Sequence, residues 1–263
     1  MATKAADVID LMVSMLDEQK RHALERFFKT AEGQYGYGDK FLGIKTPEVR
    51  AIVRQSADME LCEIPQMLAS EWHEIRLCGF LIMVRKFEKL SARRLIDNEE
   101  AVEGRDSIVT LYLEQARKAN NWDLVDLTVH KILGSWYMLP TRLGSVDGSI
   151  GQNKSHKLDV LDRLAASDNL WEQRMSIVCS WKTSAAGDPS VCLRYSLCHL
   201  GHRHDLMHKA VGWMLREMGK RVSMDLLREF LEQHWFEMSR TTLRYAIERM
   251  SIQERQYWMK RTK

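Results

Sequence analysis

Three segments carry charge where a helix would not need it for solvation alone. In KAVGWMLREMGK (209–220), Val211, Met214, Leu215 and Met218 share one face at helical spacing and read as core. Lys209, Trp213, Arg216 and Lys220 gather within about 60° of one another on the opposite face. Cations around an outward indole can hold phosphates while the ring covers a sugar or base. The plainer reading is a solvated charged face with one aromatic in it. In NWDLVD (121–126), Trp122 and Asp126 are one turn apart, and Val129 and Leu133 continue their line. That places a carboxylate beside apolar residues, which is costly unless it is paired or used. Asp123 falls on the polar side, as an acidic charge near a helix N-terminus. In LWEQRMSIVCSW (170–181), Arg174 sits between Trp171 and Val178 with Trp181 close by, and Lys182 extends that side. An arginine so placed pairs with a carboxylate or a phosphate.

Two further segments carry weaker signals. SRTTLRYAIERM (239–250) puts Arg240, Arg244 and Tyr245 at a helix start, either a solvated basic end or a phosphate contact. CHLGHRHDLMH (198–208) brings four histidines near Cys198, but the spacing matches no standard zinc site and Gly201 marks a turn. No metal is expected. There is no glycine-rich phosphate loop, no nucleophile elbow and no acid/base dyad built on histidine.

The elements that must position these groups are helices. Apolar periodicity predicts helices over 5–17, 18–30, 47–56, 63–70, 72–88, 91–97, 105–118 and 121–137. Others follow over 154–166, 169–183, 189–200, 205–220, 223–234, 239–250 and 252–259. Loops are expected at 33–43 (GQYGYGDKFLG) and 138–152. Thr46-Pro47 and Asp188-Pro189 read as cap-then-proline starts, and Asn169 with Glu172 as a capping box. No segment reads as a strand. Many short helices with few long loops suggest a helical-repeat solenoid or an irregular bundle.

Composition bounds this reading without naming a function. Fourteen glycines and four prolines in 263 residues are too few for an all-β chain full of turns. A hydrophobic share of 45% excludes disorder, and no apolar run is long enough to span a membrane. The net charge of +3 announces no nucleic-acid binder, so any basic surface must come from placement. Five scattered cysteines without a CxxC pair fit reduced thiols in a cytosolic protein.

FLGIKTPEVR (41–50), NWDLVD, LWEQR (170–174), KAVGWMLRE (209–217) and SRTTLRYAIERM, in that order over roughly residues 41–250, resemble the AlkD-type DNA alkylation repair glycosylases. The resemblance implies an all-α, HEAT-like solenoid of antiparallel helix pairs, one domain over 1–263, with a concave basic groove for duplex DNA. It implies a cytoplasmic monomer, nucleoid-associated if bacterial, without a cofactor, that removes cationic alkylpurines such as 7-methylguanine and 3-methyladenine. The family's catalytic aspartate falls on Asp126, and the tryptophans that cradle the lesion's deoxyribose fall on Trp122 and Trp213. Its arginines fall on Arg174 and Arg216. With Lys182, Lys209, Lys220 and Arg244 these would hold phosphates. Loop 33–40 departs from the family pattern, which weakens Tyr35 or Tyr37 as a DNA contact. Lys45 follows the Gly-Ile pair at a position where members vary. Two other classes stay open: a non-catalytic DNA-binding module, and a helical scaffold for a protein partner.

Overall fold

The computed structural model describes residues 4–262. Its helices are α1 Ala5–Ser14, α2 Glu18–Phe27, α3 Thr46–Gln55, α4 Ile64–Leu68, α5 His73–Leu90, α6 Glu99–Glu114, α7 Trp122–Asp126, α8 Val129–Met138, α9 Lys154–Ala165, α10 Leu170–Val178, α11 Ser180–Ala185, α12 Ser190–His199, α13 Asp205–Arg221, α14 Met224–His234, α15 Arg240–Ala246 and α16 Ile252–Lys260. Among the described residues there is no strand, only isolated bridges between Lys40 and Trp72 and between Thr141 and Gly151. The fold is all-α and of the helical-repeat kind expected. No described helix is long and apolar enough to cross a membrane.

Several boundaries differ from the sequence expectation. The helix expected at 91–97 is a single 3₁₀ turn, Arg93–Leu95. The next begins at Glu99, six residues early, because Asn98 caps it through a bond from the Ala101 amide (2.9 Å) and Glu99 and Glu100 occupy its first turn. The helix expected over 121–137 is two, α7 and α8, interrupted at Leu127–Thr128. There the Thr128 hydroxyl bonds the Leu124 carbonyl (2.5 Å), an option that competes with helix continuation. Likewise the one expected over 169–183 breaks at Cys179 into α10 and α11.

The chain forms two compact units, Met1–Thr128 with Pro140–Gly151, and Val129–Leu139 with Gln152–Lys263. In the first, α5 is central: every residue from His73 to Val84 is buried, and it packs against α3, α4, α6 and α7. In the second, α13 is central and touches α10, α11, α12, α14 and α15. Gly212 lets α13 and α15 approach, since a Cβ there would lie 2.5 Å from the Thr242 carbonyl oxygen and from Tyr245 Cβ. Cys78, Cys179 and Cys192 are buried in these cores, while Cys62 and Cys198 are exposed. Burial pushes the Cys78 and Cys192 thiols up to about 12.

Candidate functional site

The accessible line of α13 is the one its sequence foretold. Between 209 and 220 all positions are buried except Lys209, Trp213, Arg216 and Lys220. The other faces of this stretch are held by neighbours within the second unit, so between 209 and 220 these four side chains are what α13 offers to solvent. They are not idle. Lys209 meets Asp205 at 2.8 Å, and Arg216 pairs with Glu248 on the segment after α15 and, at 3.4 Å, with Glu217. Arg216, Arg244, Tyr245, Glu248 and Arg255 line a cleft of about 720 Å³ between α13, α15 and α16. Lys182 is half-buried on α11, beside Trp181, whose ring lies under the Arg221 guanidinium at 4.3 Å.

Arg174 stands apart from that line. It is 4% exposed and donates to the carbonyl of Leu206 in the first turn of α13. Its observed contact braces the helix that carries the cations. The histidine-rich segment is likewise tied up in structure. His199 bonds Ser176 (2.9 Å), His202 bonds Gln173 (2.8 Å), and His208 bonds the His202 carbonyl. Burial pushes the His199 imidazole down to about 4, so it is neutral at physiological pH.

In the first unit, Trp122 and Asp126 open and close α7, and both are half-buried. The helix expected to carry Asp126, Val129 and Leu133 along one line is interrupted between α7 and α8. Trp122 stacks on Phe28 (5.4 Å between ring centres), with the 61% exposed Phe27 edge-on to it at 5.9 Å. Phe28 in turn lies against Phe41 and His73, at 4.9 and 5.0 Å. Lys45 is exposed at the start of α3, and Tyr35 is half-buried in the glycine-rich loop. The helix there begins at Thr46, with Glu48 accepting the Lys45 amide (2.8 Å), so Thr46 is inside the helix and not its cap.

A buried polar cluster that the sequence reading missed supports this aromatic column. His73 Nδ1 bonds Asp39 Oδ2 at 2.8 Å and Nε2 bonds Asp123 Oδ2 at 2.9 Å. Arg76 bonds the other oxygen of Asp39, Asn120 (3.0 Å) and the Ser70 carbonyl (2.9 Å). Asp123 is therefore not a solvated charge on a polar face: it is 8% exposed and buried against α5. Burial alone would lower His73, but Asp123 and Asp39 outweigh it and carry the imidazole up to about 9. Glu74, next in sequence, accepts the amides of Leu42 (2.9 Å), Gly43 (2.9 Å) and Ile44 (3.1 Å), latching the segment before Lys45 to α5. Polar residues at 73, 74 and 76, opening a helix that continues as an unbroken apolar LCGFLIMV run, were the available signal. A helix buried all round must pair such groups.

The chain matches a family model described as DNA alkylation repair enzyme over residues 8–250. Among solved structures, it shares its fold with a predicted DNA alkylation repair enzyme from Enterococcus faecalis. That protein is 16% identical, the alignment covers 90% of this chain and 98% of the other, and the TM-score is 0.62. No curated protein matches the chain in sequence.

Proposed function

The chain belongs to the DNA alkylation repair enzyme family, and we propose that within it the protein is a glycosylase, hydrolysing the N-glycosidic bond of cationic alkylpurines in duplex DNA. The observation that best supports this is the accessible line of α13. Of twelve consecutive positions, the four left uncovered are three cations and a tryptophan, the set suited to phosphates and a sugar or base.

The chemistry asks little of a general acid. An alkylated purine is already positively charged, so its bond to the sugar is weak and the base leaves readily. What must be stabilised is the oxocarbenium-like sugar, and a fixed carboxylate does this electrostatically. Asp126 is the group assigned that part, and it can also orient the attacking water. At ~4 Å and an effective dielectric of ~20, the attraction is worth about 4 kcal/mol. Realised only in the transition state, that is roughly a thousandfold in rate. Trp122 and Trp213 contribute ring faces to the developing cation. Arg174, Lys182, Lys209, Arg216, Lys220 and Arg244, with Lys45 and Tyr35, are assigned to the DNA backbone, Arg174 while also donating to the Leu206 carbonyl of α13. The enzyme acts as a monomer on this reading and needs no cofactor.

The deciding experiment is release of free base from methylated duplex DNA. Release of 7-methylguanine or 3-methyladenine supports the glycosylase. Salt-dependent duplex binding without release makes the protein a non-catalytic DNA-binding member, and neither result makes it a scaffold.

Phosphate contacts carry their own signature. Lys220→Ala should weaken binding to damaged and undamaged duplexes alike and flatten the slope of log affinity against log salt by about 1. Lys209→Ala should act in the same direction but less, because Lys209 must first leave Asp205. An unchanged slope in both variants removes α13 from the DNA interface.

A further inference from the structure

His73 lies between two carboxylates that come from distant parts of the first unit. Asp39 belongs to the glycine-rich loop and Asp123 to the first turn of α7, and His73 is 1% exposed. Both ring nitrogens face carboxylate oxygens at hydrogen-bond distance. A neutral imidazole has only one N–H, so it can serve one of these carboxylates and must turn a lone pair on the other. With both carboxylates ionised, the geometry therefore calls for the imidazolium. The rest of the shell agrees. Arg76 also holds Asp39, Asn120 meets Arg76, Glu74 is occupied by the amides of 42–44, and the rings of Phe28 and Phe41, in contact with each other, both pack against His73.

We infer that His73 is a positioning residue for α7, fixing Trp122 and Asp126 by clamping Asp123 to α5 and the glycine-rich loop. Two routes lead from the imidazole to Trp122. One is short, through the hydrogen bond to Asp123, the residue next to Trp122. The other is the tilted ring contact of His73 with Phe28 followed by the stack of Phe28 on Trp122. When the imidazole loses its proton, one ring N–H remains for two carboxylates, and both lose the positive charge between them. Asp39 keeps Arg76, whereas Asp123 has, besides the imidazole, only the bond from the Leu124 amide, which is local to α7. The charged tie between α5 and the helix that carries the candidate catalytic groups is thus weakened. The catalytic consequence rests on the glycosylase reading, whereas the positioning of α7 does not.

His73 is held well above the ordinary imidazole value, so the clamp's contribution is complete below about 6.5 and is lost as pH rises through about 9. The test follows two signals from pH 7 to 10: single-turnover base release, and the indole N–H resonance of Trp122 in a ¹H–¹⁵N spectrum. In the wild type both should change together with a midpoint near 9. His73→Gln should bind duplex within a few-fold of wild type, lose roughly tenfold to a hundredfold in release at pH 7.5, and show no indole transition near 9. Asp123→Asn keeps an acceptor oxygen for the His73 N–H but removes one charge, so its midpoint should move to lower pH. A folded His73→Gln protein with wild-type release and an intact transition overturns the inference. So does an Asp123→Asn midpoint that stays where the wild type has it, which decides the matter if His73→Gln does not fold. Should the wild type release no base, the glycosylase reading fails, and the indole titration alone still decides whether His73 positions α7.

Discussion

Asp126→Asn is expected to fold, to bind duplex DNA close to wild type, and to lose about a hundredfold or more in release of 7-methylguanine if the protein is the proposed glycosylase. The substitution keeps the size and much of the hydrogen bonding of the side chain and removes only its charge. Stability should not suffer, because Asp126 is half-buried at the C-terminal end of α7, where a negative charge is disfavoured by the helix dipole. If Asp126 is instead one half of a structural ion pair, the pattern inverts. Release per folded molecule stays near wild type, and the melting temperature drops because a partner is stranded, at a cost of roughly 3–5 kcal/mol if that partner is buried. Melting temperature and base release measured on the same preparation separate the two. A folded Asn variant with the wild-type release rate removes Asp126 from the chemistry.

Glu74→Ala is expected to be the most damaging single change to the first unit. It would leave three backbone amides, of Leu42, Gly43 and Ile44, without their acceptor in a site where Glu74 itself is 2% exposed. At about 1–3 kcal/mol for each stranded donor, the loss is about 3 kcal/mol or more. For a unit of this size that is on the order of 10 °C in melting temperature. Glu74→Gln keeps one acceptor oxygen, which can still face the two amides sharing Oε1, and should lose less than half as much. Thermal or urea unfolding monitored by tryptophan fluorescence checks both. Equal damage from the two variants would mean that the charge matters and the latch does not.

What the sequence made legible was whatever a helix displays by itself. The accessible line of α13 could be drawn from spacing because one uninterrupted helix runs from Asp205 to Arg221, so angles counted along it stay true. The same counting failed at α7. The break at Leu127–Thr128 accompanies a local hydroxyl bond that periodicity does not register, and the burial of Asp123 comes from its bond to His73 on α5. The cluster around His73 was beyond reach for a different reason. Asp39, His73 and Asp123 lie 34 and 50 positions apart, and only the packing of α5 on α7 and the loop brings them together. Arg174 illustrates the middle case. Its charge inside an apolar stripe was visible, but the carbonyl of Leu206 as its partner was not.

The three core cysteines acquire a meaning from the family's task. A cell that needs alkylated DNA repaired also contains the alkylating agent, and the thiolate is the most reactive nucleophile a protein presents to such an electrophile. Cys78 and Cys192, pushed to about 12, carry a vanishing fraction of thiolate at neutral pH, and burial drives Cys179 in the same direction. Enclosed and protonated, they offer the electrophile neither charge nor access. Among the described residues, the thiols left accessible are Cys62 and Cys198, outside both cores.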